Sequence, residues 1–206
     1  MRRIWIGLAL ALASGPAWAQ TQQQHDWCYS DAATDDQTID GCTALIQSGR
    51  ETSVGQAVIY YNRGIGYDDK GLYDQAIADY TRAIALKPDY AVAYDNRGNA
   101  FNSKGLYDQA IADHTRAIAL QPGLAKAHNN RGVSYAGKSL YDQAIADYNQ
   151  AIALNPDYAI AYENRGLAYE KKGSRDQAIA DFRASLRLDA NRTRARDGLT
   201  RLGATP

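Results

Sequence analysis

Four asparagines recurring at a constant interval are the groups in this chain best suited to recognition chemistry: Asn62, Asn96, Asn130 and Asn164, each opening the tripeptide Asn-Arg-Gly. A carboxamide carries both a donor and an acceptor, so it can pair with both polar groups of an extended peptide backbone. The arginine that follows (Arg63, Arg97, Arg131, Arg165) precedes an aspartate by the same distance every time, at Asp79, Asp113, Asp147 and Asp181. That spacing suits an internal ion pair, which contributes about 0–1 kcal/mol if partly exposed and sets register more than stability. Catalysis finds no comparable arrangement. No serine or cysteine nucleophile stands in a recognisable motif, no phosphate loop occurs, and the three histidines lack metal-ligand spacing. The expectation is a chain that is not an enzyme, with no cofactor and no metal.

Charge and cysteine usage bound the rest. Basic and acidic residues balance at 23 each, whereas a general nucleic-acid binder would show a basic excess. No nucleic-acid partner is therefore expected. The first residues, MRRIWIGLALALASGPAWAQ, read as a signal peptide over 1–19: two arginines, an apolar run over 4–13, Gly15-Pro16, and Ala17-Trp18-Ala19 before the cleavage point. The run falls short of the roughly 20 apolar residues that cross a bilayer, so no stable membrane insertion is expected after cleavage. This predicts a periplasmic or secreted protein of Gram-negative type. An oxidising compartment favours a disulfide between Cys28 and Cys42, the only two cysteines. Even with His25 these thiols are one ligand short of a structural zinc site. Closing such a loop stabilises by roughly 3 kcal/mol in the chain-entropy model.

The elements that must position these groups follow from the period. Residues 57–192 divide into four gapless units of equal length, the signature of a stacked array rather than a closed globule. Tyr60, Gly64, Tyr67 and Gly71 lie on one stripe of a first helix, and Gly71 suits its left-handed end. Ala76, Tyr80, Ala83 and Ile84 form the stripe of a second helix that opens near Asp74 and exits at Pro88. Gly64 is expected opposite Ala76, where small residues let the helices approach. Upstream, DDQTIDGCTALI echoes DQAIADYTRAIA, with Cys42 standing where Tyr80 does. Residues 20–56 thus read as a degenerate helical half-repeat carrying the cysteine pair, joined through a linker over 48–55. Units over 57–90, 91–124, 125–158 and 159–192 follow, then a capping helix and tail over 193–206.

The succession Tyr60, Gly64, Tyr67, Ala76, Tyr80, Ala83, Pro88 resembles the tetratricopeptide repeat (TPR). It recurs at Tyr94, Gly98, Phe101, Ala110, His114, Ala117, Pro122 and at His128, Gly132, Tyr135, Ala144, Tyr148, Ala151, Pro156. The fourth unit keeps Tyr162, Gly166, Tyr169, Ala178 and Phe182, then drifts to Ser185 and Ala190. The resemblance implies an all-α fold, a right-handed superhelical α-solenoid of stacked antiparallel helix pairs.

At 100° per residue Asn62 lies about 200° from Gly64 and points away from the second helix. In TPR superhelices that face lines a concave groove. The resemblance therefore implies a peptide-binding groove built on Asn62, Asn96, Asn130 and Asn164, with Asn99, Val133 and Leu167 beside them. Tyr61, Asp95, Asn129 and Glu163 are expected on the same face. The alternative is that each amide bonds to its neighbours or to water, and the residues leave both open. The Lys and Arg cluster with which chaperone-binding members clamp a terminal carboxylate is absent. The expected function is protein–protein interaction, holding an extended segment of a cell-envelope protein. The alternative is a homo-oligomer assembled through an acidic start, including Asp31, Asp36 and Asp40, and an arginine-rich end, including Arg187, Arg192, Arg194 and Arg201. A third reading has that end touching anionic lipid or polysaccharide. His114 and His128, where aromatics stand elsewhere, form either a pH-sensitive joint or a packing pair.

Overall fold

Apolar stripes at helical spacing, closed by a left-handed residue and reopened by a carboxylate, fold the chain into successive helices. The computed structural model describes residues 16–205. Within them lie eleven α-helices and no strand. Of the expected signal peptide, residues 1–15 lie outside the described residues. No described helix is long and apolar enough to cross a membrane.

Two compact units divide the chain, residues 1–104 and 105–206. The first holds α1 (Pro16–Tyr29), α2 (Asp35–Ser48), α3 (Ser53–Asp69), α4 (Tyr73–Leu86) and α5 (Ala91–Ser103). Here α1 packs with α2, α3 with α4, and the pairs stack through α2 on α3 and α4 on α5. The second unit holds α6 (Tyr107–Leu120), α7 (Ala125–Gly137), α8 (Tyr141–Leu154), α9 (Ala159–Lys171), α10 (Arg175–Leu188) and α11 (Thr193–Arg201). Its pairs are α7 with α8 and α9 with α10, covered by α6 at one end and α11 at the other. Each unit is thus a stretch of α-solenoid built from stacked antiparallel helix pairs. Aromatic side chains fill the interior of each pair: Tyr80, Tyr148 and Phe182 are buried, with Ala76, Ala144 and Ala178 beside them.

The cysteine-bearing segment departs from the half-repeat expected of it. Helices α1 and α2 form a complete pair, and Cys28 and Cys42 are joined by a disulfide across it, their Cα atoms 4.7 Å apart. Gly41, next to Cys42, permits that approach: a Cβ there would meet the Gln24 carbonyl oxygen at 2.5 Å. Thr34 and Gln37 cap α2 reciprocally, each side chain accepting from the other's backbone N–H. The linker is also shorter than expected. Thr52 already caps α3 by accepting from the Gly55 N–H, so part of the 48–55 segment is helical. As a result α3 has 17 residues where α5, α7 and α9 have 13, one extra turn absorbing the inserted chain.

The turn within each pair is a left-handed stop. Gly71 has φ 73°, and the Leu72 N–H donates back to the Tyr67 carbonyl at 2.8 Å. Gly105 and Gly173 repeat the conformation, but in the third repeat its place is taken by Ser139, the one described non-glycine residue with positive φ, at 60°. A Cβ in that region costs roughly 1–2 kcal/mol. Ser139→Gly is therefore expected to raise the unfolding free energy by about 0.5–1 kcal/mol, after the greater chain entropy of glycine is offset. The check is a higher urea midpoint with an unchanged slope.

Candidate functional site

The recurring glycine makes room for a ring. A Cβ on Gly64 would lie 2.7 Å from Cε1 of Tyr80; on Gly132, 2.6 Å from Cε1 of Tyr148; on Gly166, 2.9 Å from Cδ1 and Cε1 of Phe182. Its nearest neighbour is thus the ring on the second helix, rather than the expected Ala76. Buried aromatics carry the largest apolar area of any side chain, and this one seats only where the facing helix lacks a side chain.

The arginine beside it ties two pairs together. Arg63 grips Asp79 with two parallel bonds, Nε to Oδ2 at 2.7 Å and Nη2 to Oδ1 at 2.9 Å. Arg131 holds Asp147 and Arg165 holds Asp181 in the same way, every bond at 2.7 Å. The remaining Nη1 reaches the second helix of the preceding pair: Arg63 to Thr43, Arg97 to Thr81, Arg131 to Thr115 and Arg165 to Asn149. Aromatic rings flank the guanidinium, as Tyr60 and Tyr67 do for Arg63 at 5.6 and 5.8 Å. The hydrogen bonds to Asp79 push the Arg63 pKa further above its ordinary value. Asp79, Asp147 and Asp181 are buried, as an internal ion pair requires.

For the asparagines the open-groove expectation needs correction. Asn62 is 0% exposed and donates from Nδ2 to the Cys28 carbonyl at 3.1 Å. Asn96 donates to the Tyr61 hydroxyl at 3.1 Å, and Asn164 to Oδ1 of Asn129 at 3.0 Å; both are buried. The helical wheel gave their direction correctly, away from the second helix of their own pair. It could not show that a neighbouring first helix stands there: α1 lies against α3, α3 against α5, and α7 against α9. Asn130 remains half-exposed, accepting from Nδ2 of Asn129 at 3.2 Å.

The residue before each asparagine belongs to the same joint. Tyr61, Asp95, Asn129 and Glu163 are buried rather than displayed in a groove. Burial pushes the Tyr61 phenol up to about 12, which keeps it a neutral hydroxyl able to accept from Asn96. In the last repeat this position meets the cap instead. Glu163 is buried and receives Arg192 through Nε at 3.1 Å and Nη2 at 2.7 Å, with Arg194 3.6 Å away. Arg201 pairs with Glu170 and holds its carboxyl below the usual range. Much of the arginine-rich end is therefore occupied internally.

Among the described residues the first helices leave three large apolar side chains exposed, one of them Val54 at the start of α3, at 58%. Val133 on α7 and Ile160 on α9 are each 38% exposed. Leu167 is half-buried, packed against the Phe182 cluster, and Asn99 on α5 is half-buried. Of the histidines, His114 is buried on α6, while His128 on α7 turns its Nδ1 to within 3.6 Å of Asp147 Oδ1. Among the described residues no group of three His, Cys, Asp or Glu side chains could hold a metal ion.

Comparison with known proteins agrees with this architecture. Family models described as tetratricopeptide repeat match residues 57–90 and 159–192, and one described as TPR repeat matches 98–139 and 140–173. A crystal structure of MamA is similar at 29% identity and TM-score 0.67, covering 77% of this chain and 91% of that one. The first TPR of Spaghetti (RPAP3), bound to the HSP90 peptide SRMEEVD, is similar at 29% identity and TM-score 0.54, over 55% of this chain and 90% of that one. YrrB, a TPR protein with an unusual peptide-binding site, shares the fold at 18% identity and TM-score 0.66, over 81% and 84% of the two chains. No curated protein matches the sequence.

Two outcomes are expected. Arg131→Leu leaves Asp147, 6% exposed, without its cation. It should cost about 3 kcal/mol of unfolding free energy, and adding Asp147→Leu should recover most of the loss in a double-mutant cycle. The second concerns Asp68, whose carboxyl is raised to about 6 by burial and then by Asp69. A raised acid favours the folded state when protonated, so this group's contribution falls as pH climbs from about 4 to 6 and stays unfavourable above. Asp68→Asn should be more stable than the parent at pH 7 and equal to it near pH 4 by thermal denaturation.

Proposed function

Because the chain belongs to the tetratricopeptide repeat family, we propose that it is a non-catalytic interaction scaffold, exported to the periplasm or beyond. There it holds an extended segment of a cell-envelope protein against its first helices. The observation that carries this reading is the exposure of Val133 on α7 and Ile160 on α9, helices that stand against each other and whose other apolar residues are largely covered. Half-exposed Asn130 stands one turn from Val133, placing an amide beside an apolar contact. A bound strand needs both, a pairing partner for its backbone and a surface for alternate side chains. Leu167 extends the same reading along α9, and Asn99, in the other unit, is proposed to do the same on α5 by itself.

In this reading the asparagines divide their roles. Asn62, Asn96 and Asn164 hold neighbouring first helices in register, while half-exposed Asn130 also shows a face to solvent beside Val133. A similar protein holds a short peptide, which supports a groove on these helices. Export is supported by the leader-like start and by the disulfide, which suits an oxidising compartment. Head-to-tail assembly through charged ends is less favoured, since Arg192, Arg194 and Arg201 are engaged by Glu163 and Glu170.

The test is capture from envelope extract by the mature protein and by a Val133→Asp, Ile160→Asp variant. Both positions are exposed, so equal circular dichroism is expected. A partner retained by the parent and lost by the variant supports the groove; equal capture by both removes it.

A further inference from the structure

Three arginines at the end of the chain keep their charge while their neighbours are neutralised. Arg183 donates through Nε and Nη2 to the Thr205 carbonyl, at 3.1 and 2.9 Å. Arg196 donates through Nη2 to the Ala190 carbonyl at 2.7 Å. Carbonyls are neutral, so these bonds orient each guanidinium without cancelling it. Arg187, one helical turn beyond Arg183 on α10, is the third. All three side chains are exposed and line one cleft of about 470 Å³, with Leu186 and Ala190 as its apolar floor and no acidic residue in its wall. Of the acids close in sequence, Asp189 accepts from the Asn191 N–H at 3.0 Å, Asp181 is held by Arg165, and Asp197, next to Arg196, does not line the cleft. By contrast, Arg192 and Arg201 meet carboxylates directly. The chain therefore supplies acids to some arginines of this end and withholds them from those of the cleft.

We propose that the cleft between α10 and α11 binds a phosphate group. Guanidinium forks match phosphate oxygens in pairs. Three of them lining one cleft with no acid in its wall suit a dianion better than a single carboxylate, and Arg187 has its whole fork to offer where Arg183 and Arg196 add charge beside their carbonyl bonds. The floor formed by Leu186 and Ala190 accommodates an apolar portion beside the phosphate. Free phosphate esters and the headgroups of anionic lipids share this chemistry.

The experiment uses the mature chain, titrated calorimetrically with inorganic phosphate and pyrophosphate, and sedimented with phosphatidylglycerol or phosphatidylcholine vesicles. Arg187→Gln with Arg196→Gln is compared with Arg116→Gln, an exposed arginine on α6. The expected result is saturable binding at a single site, weakened at least tenfold in the double variant and unchanged in the Arg116 variant. Binding of the free ions identifies a soluble phosphate compound. Retention on phosphatidylglycerol alone, lost in the double variant, identifies a headgroup. No saturable binding in either arm overturns the proposal. So does equal loss in the Arg116 variant, or competition by a polyglutamate peptide as effective as pyrophosphate, since each marks general charge attraction.

Discussion

A ring on α4, α8 and α10 occupies volume that a side chain on the first helix of the pair would otherwise claim, and the geometry of the pair follows from that exclusion. Tyr80, Tyr148 and Phe182 lie so close to Gly64, Gly132 and Gly166 that even a methyl group on the glycine would force the ring aside. Overpacking of this kind typically costs about 1–3 kcal/mol. Phe182 shows that the ring rather than the phenolic hydroxyl is what the position requires. With the separation fixed, the residues on either side of the glycine fall into definite places along the neighbouring helices.

Those neighbours act in different directions. The arginine links the first helix to its own second helix through the aspartate and to the preceding second helix through Nη1. The asparagine links it to the preceding first helix. Three adjacent residues therefore make the contacts within a pair and between pairs, which is reason enough for them to recur together. Buried ion pairs are seldom a net gain over well-packed apolar residues. Their value here lies in directionality: a two-point fork accepts one register and rejects a slide of the helices, which rings and alanines would tolerate.

The period, the paired helices, the left-handed stop at Gly71 and the partnership of Arg63, Arg131 and Arg165 with an aspartate were all legible in the sequence, because each depends on residues close in the chain or spaced by a constant interval. The fate of the asparagines was not. A helical wheel reports direction relative to one partner, and the face it marks as outward is closed by a helix from another repeat. The role of Tyr61, Asn129 and Glu163 was hidden for a related reason: the position changes chemistry from unit to unit, so no motif marks it. The extra turn of α3 escaped notice because Ser53 and Val54 lie before the repeating phase begins. At the other end, the arginines read as a uniform charge run. Only the fold separates those that meet Glu163 and Glu170 from those that do not.

The amide links from Asn62, Asn96 and Asn164 run one way, each asparagine donating to the first helix before its own. At the start the acceptor is not a side chain but the Cys28 carbonyl, in backbone held by the disulfide. At the end, the outgoing position carries Glu163, which takes cations from the cap instead of an amide from a successor. The two described ends of the array are in this sense unlike the joints between its repeats. Where Asn96 meets Tyr61 and Asn164 meets Asn129, each repeat carries both a donor and an acceptor, so gene duplication could add whole repeats of that kind. Neither terminal piece could be copied inward without leaving a neighbour unanswered.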